Sequence, residues 1–179
     1  ITVVPGGSNM AAEMQKMADA LAAEGRKGYI IPGGGSNALG GLGYVSCAQE
    51  LQQQLFEQGL AIDRVVVGSG SSGTHGGLVA GFLGNNIRIP IVGIGVSRDP
   101  ADQEPPADKG APAGVEPLGP RVTRPREAVK SVGGYWQPKY SVPNAAMVEA
   151  VQLLARTEGI PLDPVYTGKI MAGLIVLAR

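Results

Sequence analysis

The chain has 179 residues, enough for one well-cored domain and short for two. Its 15 basic and 15 acidic side chains cancel, so no global field draws nucleic acid or an anionic membrane. The single Cys47 excludes a disulfide framework and a thiolate metal cluster, and no apolar run nears the roughly 20 residues of a bilayer span. The 28 Gly and 14 Pro are the anomaly, nearly a quarter of the sequence and about twice ordinary usage. They have no collagen period, and 44% hydrophobic residues argue against full disorder. A globular, cytoplasmic domain remains. The start, Ile1-Thr-Val-Val-Pro5, has neither an initiator Met nor a signal-peptide n-region, and is read as part of a longer chain.

In chain order, Ile1–Val4 is a short apolar strand candidate ended by Pro5-Gly6-Gly7. Asn9 caps a helix with Met10, Met14, Met17 and Leu21 on one face, and Gly25 closes it. Tyr29–Ile31 reads as a buried strand. A glycine-rich turn, Gly33 to Gly43, leads to a helix with Tyr44, Ala48, Leu51 and Leu55 on one stripe. Arg64–Val67 is a strand, Thr74–Leu83 a short helix, and Pro90–Val96 a strand apolar almost throughout. Continuously apolar strands alternating with helices predict an α/β domain, a parallel sheet with helices on both faces. Seven prolines between Pro100 and Pro125, mixed with charges, predict an irregular segment. Beyond it, Asn144 caps a helix that turns Met147, Val151 and Leu154 inward. Asp163-Pro164 then supplies a cap and first helical position, opening a last helix with Ile170, Leu174 and Leu177 buried.

The chemistry concentrates in Val65-Val-Val-Gly-Ser-Gly-Ser-Ser-Gly-Thr-His-Gly-Gly77, a strand, a Gly/Ser loop and a helix start. Glycines let the backbone turn sharply, and the helix N–H groups with Ser71, Ser72 and Thr74 can surround a phosphate. The stretch lacks a Walker lysine, and Asp99 is the sole candidate for a ribose-binding acid. The alternative is a tight turn without a ligand. Gly33–Gly43 also follows a strand, so both loops open on the same sheet edge and either line one site or leave the second as a flexible lid or plain connection. His75, the single histidine, is a structural residue or a proton carrier. Tyr166 is a core anchor or a plate against a planar ligand.

Four runs carry a resemblance. They are Ile31-Pro-Gly-Gly-Gly-Ser-Asn-Ala-Leu-Gly-Gly-Leu-Gly-Tyr44, Gly68-Ser-Gly-Ser-Ser-Gly-Thr-His-Gly-Gly77, Val96-Ser-Arg-Asp99 with Ala101-Asp-Gln103, and Leu162-Asp-Pro-Val-Tyr-Thr-Gly-Lys-Ile-Met-Ala-Gly173. Together they resemble the D-cysteine desulfhydrase and 1-aminocyclopropane-1-carboxylate deaminase family, pyridoxal-phosphate enzymes of the tryptophan-synthase-β fold type. The resemblance implies the large-domain portion of that fold and pyridoxal 5'-phosphate as cofactor. It implies that Gly70, Ser71, Ser72, Gly73 and Thr74 hold the cofactor phosphate. Tyr166, the catalytic candidate, would stand beside the pyridoxal ring as a stacking or substrate-contacting residue, with Thr167 near the pyridine nitrogen. Deaminases typically carry Glu where Thr167 stands, so the resemblance leans to D-cysteine desulfhydrase, giving pyruvate, ammonia and hydrogen sulfide. The deaminase and a non-catalytic phosphate- or nucleotide-binding module are the alternatives.

A small amino-acid substrate and a homodimer are implied, with no metal site and neither nucleic acid nor membrane as partner. The family's Schiff-base lysine motif has no counterpart: Lys16, Lys27, Lys109, Lys130, Lys139 and Lys169 lie in other contexts. The expectation is an incomplete, inactive portion of a lyase. Its parts are an α/β core with the cofactor loops at 1–103, a Pro-rich irregular segment at 104–133, and a C-terminal helical part of the same domain at 134–179.

Overall fold

The structure, a computed structural model, describes residues 1–99 and 130–178. It comprises two compact units, Ile1–Gly35 and Ser36–Arg179. In the first, the Asn9 side chain accepts from the Ala12 N–H at 3.2 Å and opens helix α1 (Met10–Ala23). No α1 residue is buried, and Met10 and Met17 keep 56% and 49% of their surface. Of the predicted inward stripe, Met14 and Leu21 are half-buried, while Met10 and Met17 stay exposed. Ile1–Val4 and Tyr29–Ile31 are not strands, and Tyr29 and Ile31 are 74% and 68% exposed. A strand needs a neighbour for its backbone groups, and residues 1–35 contain no segment that pairs with either.

The second unit begins with α2 (Ala38–Glu57), whose Asn37 cap accepts from Gly40 N–H at 2.8 Å. This cap turns the second half of the glycine-rich stretch into helix, where sequence predicted a turn through Gly43. Next come β1 (Val65–Ser69), α3 (Gly73–Gly84), β2 (Ile91–Gly95), β3 (Lys130–Val132), α4 (Ala145–Glu158) and α5 (Thr167–Leu177). The sheet is parallel in the order β1-β2-β3, with Val65 beside Ile91, Ser69 beside Gly95, and Gly93 beside Ser131. Residues 130–132, predicted as the end of the irregular segment, thus form a strand, because Val92–Ile94 offers them a free parallel edge. The remaining proline-rich residues, and Ala101–Gln103, lie outside the described residues.

Helices cover both faces of this sheet, as the apolar strands require. Ile91, Val65 and Val67 pack with Ala48, Leu78, Val79 and Phe82 of α2 and α3 in the main core cluster. On the opposite face, a Cβ on Gly68 would lie 2.6 Å from Ile170, and one on α5 Gly173 would lie 2.8 Å from Ile94. The alternation of a strand thus sorts the two helices to the two faces. In α5 the fully buried positions are Gly168, Lys169, Ala172 and Gly173; Ile170, Leu174 and Leu177 are half-buried. Small residues let the helix lie close to β2, which displaces the predicted Leu/Ile face to the flanks.

Candidate functional site

The site grows from the carboxyl end of β1. Ser69 and Gly70 are buried, and the chain then turns through exposed Ser71 and half-buried Ser72, Gly73 and Thr74 into α3. Ser72 takes a left-handed backbone, φ 70°, at a cost of about 1 kcal/mol for a non-glycine residue. Its side chain does not cap α3, whereas Asn9, Asn37 and Asn144 cap α1, α2 and α4. The first turn of α3 therefore carries its N–H groups and the positive end of its dipole at this loop, with no side-chain cap from Ser72.

Neighbouring side chains crowd the loop from two sides. Ser36 Oγ donates to Ser71 Oγ at 2.7 Å, and a Cβ on Gly73 would lie 2.6 Å from Ser36 Oγ. Ser36, which follows Gly35 in the glycine-rich stretch, thus reaches this loop. On the other side, a Cβ on Gly70 would coincide with the Tyr166 hydroxyl. The backbone at Gly70 and the ring of Tyr166, 96 positions apart, are therefore in direct approach. The sequence-predicted phosphate residues and Tyr166 stand in one place.

Tyr166 is half-buried at the N-terminus of α5, with its ring edge-on to Tyr140 (centroids 6.2 Å apart, planes at 85°). Burial raises its phenol pKa above the ordinary value, the Tyr140 phenol adds to this, and Arg98 opposes it. The group is protonated at neutral pH and is a hydrogen-bond donor. Asp163 does not start the helix directly, as the Asp-Pro pattern predicts. Its Oδ1 accepts from the N–H groups of Val165 (2.8 Å) and Tyr166 (2.6 Å), and Oδ2 from that of Thr167 (2.8 Å). The carboxylate is spent on this preceding turn, and α5 begins at Thr167.

Thr167 is exposed; its Oγ1 donates to Asp163 Oδ2 at 2.5 Å and accepts from Asp163 N–H at 2.8 Å. Its hydroxyl proton is committed to the carboxylate. Slight burial pushes the Asp163 carboxyl up, but bonds from the Thr167 hydroxyl and the three N–H groups outweigh this and hold it at about 2. The folded value lies below the ordinary 3.8, so this stabilisation is complete above about pH 4 and is lost as pH falls toward 2. Asp163→Ala is expected to remove about 1 kcal/mol at pH 7 and to flatten the acid limb of stability. Urea melts of both proteins between pH 2 and 7 check this; parallel acid limbs would contradict it.

Three further residues enter the site that no functional pattern singled out. Arg98, quoted above only within a motif, donates from its guanidinium to the Gly70 carbonyl at 3.3 Å. Tyr140 braces Tyr166. Lys169 is fully buried, and donates to the carbonyls of Trp136 (2.9 Å) and Lys139 (3.1 Å). Burial lowers its pKa. His75 is 1% exposed and packs against β2, where a Cβ on Gly93 would lie 2.5 Å from its Nδ1. That enclosure favours the structural reading of His75 over the proton carrier.

A short polar loop at a helix N-terminus, with the Tyr166 hydroxyl against its Gly70, suits a phosphate joined to a flat ring. The sequence model of the pyridoxal-phosphate dependent enzymes matches residues 1–179. The chain belongs to that family. Among solved structures, one titled as an ACC deaminase homologue is similar at 32% identity and TM-score 0.84, over 99% of this chain and 53% of its own. An O-ureido-L-serine synthase shares the fold at 19% identity and TM-score 0.61, over 99% of this chain and 52% of its own. The chain therefore spans about half the length of these pyridoxal-phosphate relatives. Among the described residues, no helix is long and apolar enough to cross a membrane.

Proposed function

We propose that this chain forms the phosphate-holding part of a pyridoxal-phosphate dependent lyase, with D-cysteine as substrate. The observation that carries this reading is the loop Gly70–Thr74, which leads from β1 into the N-terminus of α3 and brings Gly70 directly against the Tyr166 hydroxyl. When bound, pyridoxal phosphate supplies an electron sink for a carbanion at the substrate Cα. Ser71, Ser72, Gly73, Thr74 and the first N–H groups of α3 hold the phosphate. Gly70 permits the close approach of Tyr166, whose protonated hydroxyl contacts ring or substrate. Arg98 fixes the Gly70 carbonyl and with it the direction of the loop.

The preference for D-cysteine rests on Thr167, where the resembling deaminases carry Glu. β-Elimination converts D-cysteine and water to pyruvate, ammonia and hydrogen sulfide. Deamination of 1-aminocyclopropane-1-carboxylate to 2-oxobutanoate is the second reading, and it is favoured by the ACC deaminase homologue. Since the six lysines lie outside any Schiff-base motif, we expect residues 1–179 alone to bind the cofactor non-covalently and to lack turnover. A homodimeric cytoplasmic enzyme is the assembly and location proposed for the whole protein.

Equilibrium dialysis of residues 1–179 tests the site. Pyridoxal phosphate and pyridoxamine phosphate are expected to bind alike, and pyridoxal at least tenfold more weakly, a difference of about 1.4 kcal/mol. Binding of pyridoxal as tight as that of its phosphate would remove the reading, and tighter binding of a nucleotide would favour the non-catalytic module. Sulfide and pyruvate from D-cysteine, against 2-oxobutanoate from the cyclopropane, decide the substrate in a polypeptide that carries the family's lysine motif.

A further inference from the structure

We propose that Lys169 is a positioning residue: by holding the turn at Trp136–Lys139 it presses Tyr140 against Tyr166 and so fixes the Tyr166 hydroxyl over Gly70. The proposed function gives this amine no task. Its placement is nonetheless unfavourable. It lies in the first turn of α5, where the helix dipole opposes a cation, and is wholly buried. Among the described residues, its hydrogen bonds go to two carbonyls and to no carboxylate. An apolar side chain would avoid both costs, so the amine is there for what it donates.

What it donates to is a turn held largely by side chains, with one backbone bond from the Val142 N–H to the Lys139 carbonyl (3.1 Å). The Asn144 amide serves the carbonyls of Tyr135 (3.0 Å) and Gln137 (2.8 Å), while Lys169 serves those of Trp136 and Lys139. Two side chains from the N-terminal ends of α4 and α5 thus hold four carbonyls of one short turn. Helical side chains lean toward the N-terminus, which carries Lys169 back to the turn on the side of Tyr166, one helical turn away. Tyr140 follows Lys139 directly and meets Tyr166 edge-on. At the other end, Trp136 Nε1 donates to Asp99 at 2.9 Å, next to the Arg98 that binds the Gly70 carbonyl. The turn therefore grips the phosphate loop and its covering tyrosine together. The inference relies on the proposed function only for what Tyr166 faces; the placing of Tyr166 is measurable without cofactor.

The test uses Lys169→Met, which keeps an unbranched side chain one atom shorter and removes the donors. Trp136, the single tryptophan, reports the turn by fluorescence. Tyr166 is followed by ¹⁹F NMR of 3-fluorotyrosine protein, its signal assigned by Tyr166→Phe. In folded Lys169→Met, Trp136 emission is expected to shift to the red, the Tyr166 signal to move, and its phenol to titrate lower as water reaches it. Tyr140→Ala is expected to move Tyr166 as well, and the double variant to move it no further than Tyr140→Ala alone. An unmoved Tyr166 signal in Lys169→Met, or additive shifts in the double variant, would overturn the proposal. Should Lys169→Met not fold, Lys169→Arg keeps the cation on a longer side chain. There a Trp136 shift without a Tyr166 shift overturns it equally, and joint shifts support it. Pyridoxal-phosphate dialysis on the unmutated chain decides the functional reading separately, and its failure leaves these signals unaffected.

Discussion

Gly70→Ala is expected to abolish phosphate-dependent cofactor binding and to destabilise the fold by about 2 kcal/mol. The added methyl falls on the Tyr166 hydroxyl, and the next atoms, Tyr166 Cζ and Val96 Cγ2, lie at 3.0 and 3.4 Å. Neither partner yields easily: Val96 is fully buried, and Tyr166 is tied through its N–H to Asp163 and through its ring to Tyr140. For a chain of this length the loss corresponds to a melting temperature lower by roughly 4–8 °C. Tyr166→Phe removes the overlapping oxygen, so the double variant should regain most of the stability while still lacking the hydroxyl over the loop. Thermal melts of the two single variants and the double, with dialysis against pyridoxal phosphate, check both halves. An unchanged melting temperature in Gly70→Ala would contradict the close approach.

Gly77→Ala is expected to be costly for a different reason. The new Cβ would stand 2.6 Å from Tyr44 Cβ and 2.7 Å from the Gly41 carbonyl oxygen, both rigid parts of α2. The two helices must separate, and overpacking of this kind costs about 1–3 kcal/mol. Helix propensity returns about 1 kcal/mol for the same change. Packing wins, because Gly81 repeats the constraint one turn on, with Ala48 Cβ at 2.5 Å from its would-be Cβ. Gly84→Ala, whose methyl would meet nothing within 4 Å, is the control, and should be neutral to stabilising. Urea midpoints of the two variants are expected to move in opposite directions or by clearly different amounts. Equal midpoints would mean that α2 and α3 are not in the described contact.

Much of this architecture can be read from residue types because local chemistry decides it. Asn9 and Asn144 cap as expected because a short amide at those positions satisfies the N–H groups of the following turn wherever the helix lies. β1 and β2 are legible as unbroken apolar runs, which suit strands covered on both faces. Tyr29–Ile31 carries the same signal and forms no strand, since pairing depends on a second segment that no local pattern reveals. The loop at Gly68–Thr74 was legible because glycine and small hydroxyls are scarcely useful together except at a close approach. Its partners were not. Nothing in the spacing of Tyr166, Arg98 or Tyr140 indicates that three distant segments converge on Gly70, and only the resemblance gave Tyr166 a place there. Lys169 was least legible, since an amine in a helix reads as solvated surface until the packing encloses it.

That enclosure separates two properties that usually go together in a lysine. Burial lowers the pKa of the Lys169 amine and thereby enlarges its neutral, nucleophilic fraction at any given pH. The same burial leaves its side chain no surface for an aldehyde or an activated ester to approach, and both of its hydrogen bonds point into the protein. An amine that burial inclines to lose its proton is therefore withheld from covalent chemistry. Acylating reagents will label exposed lysines such as Lys16 and Lys139 first, and Lys169 will react only when the turn at Trp136–Lys139 opens.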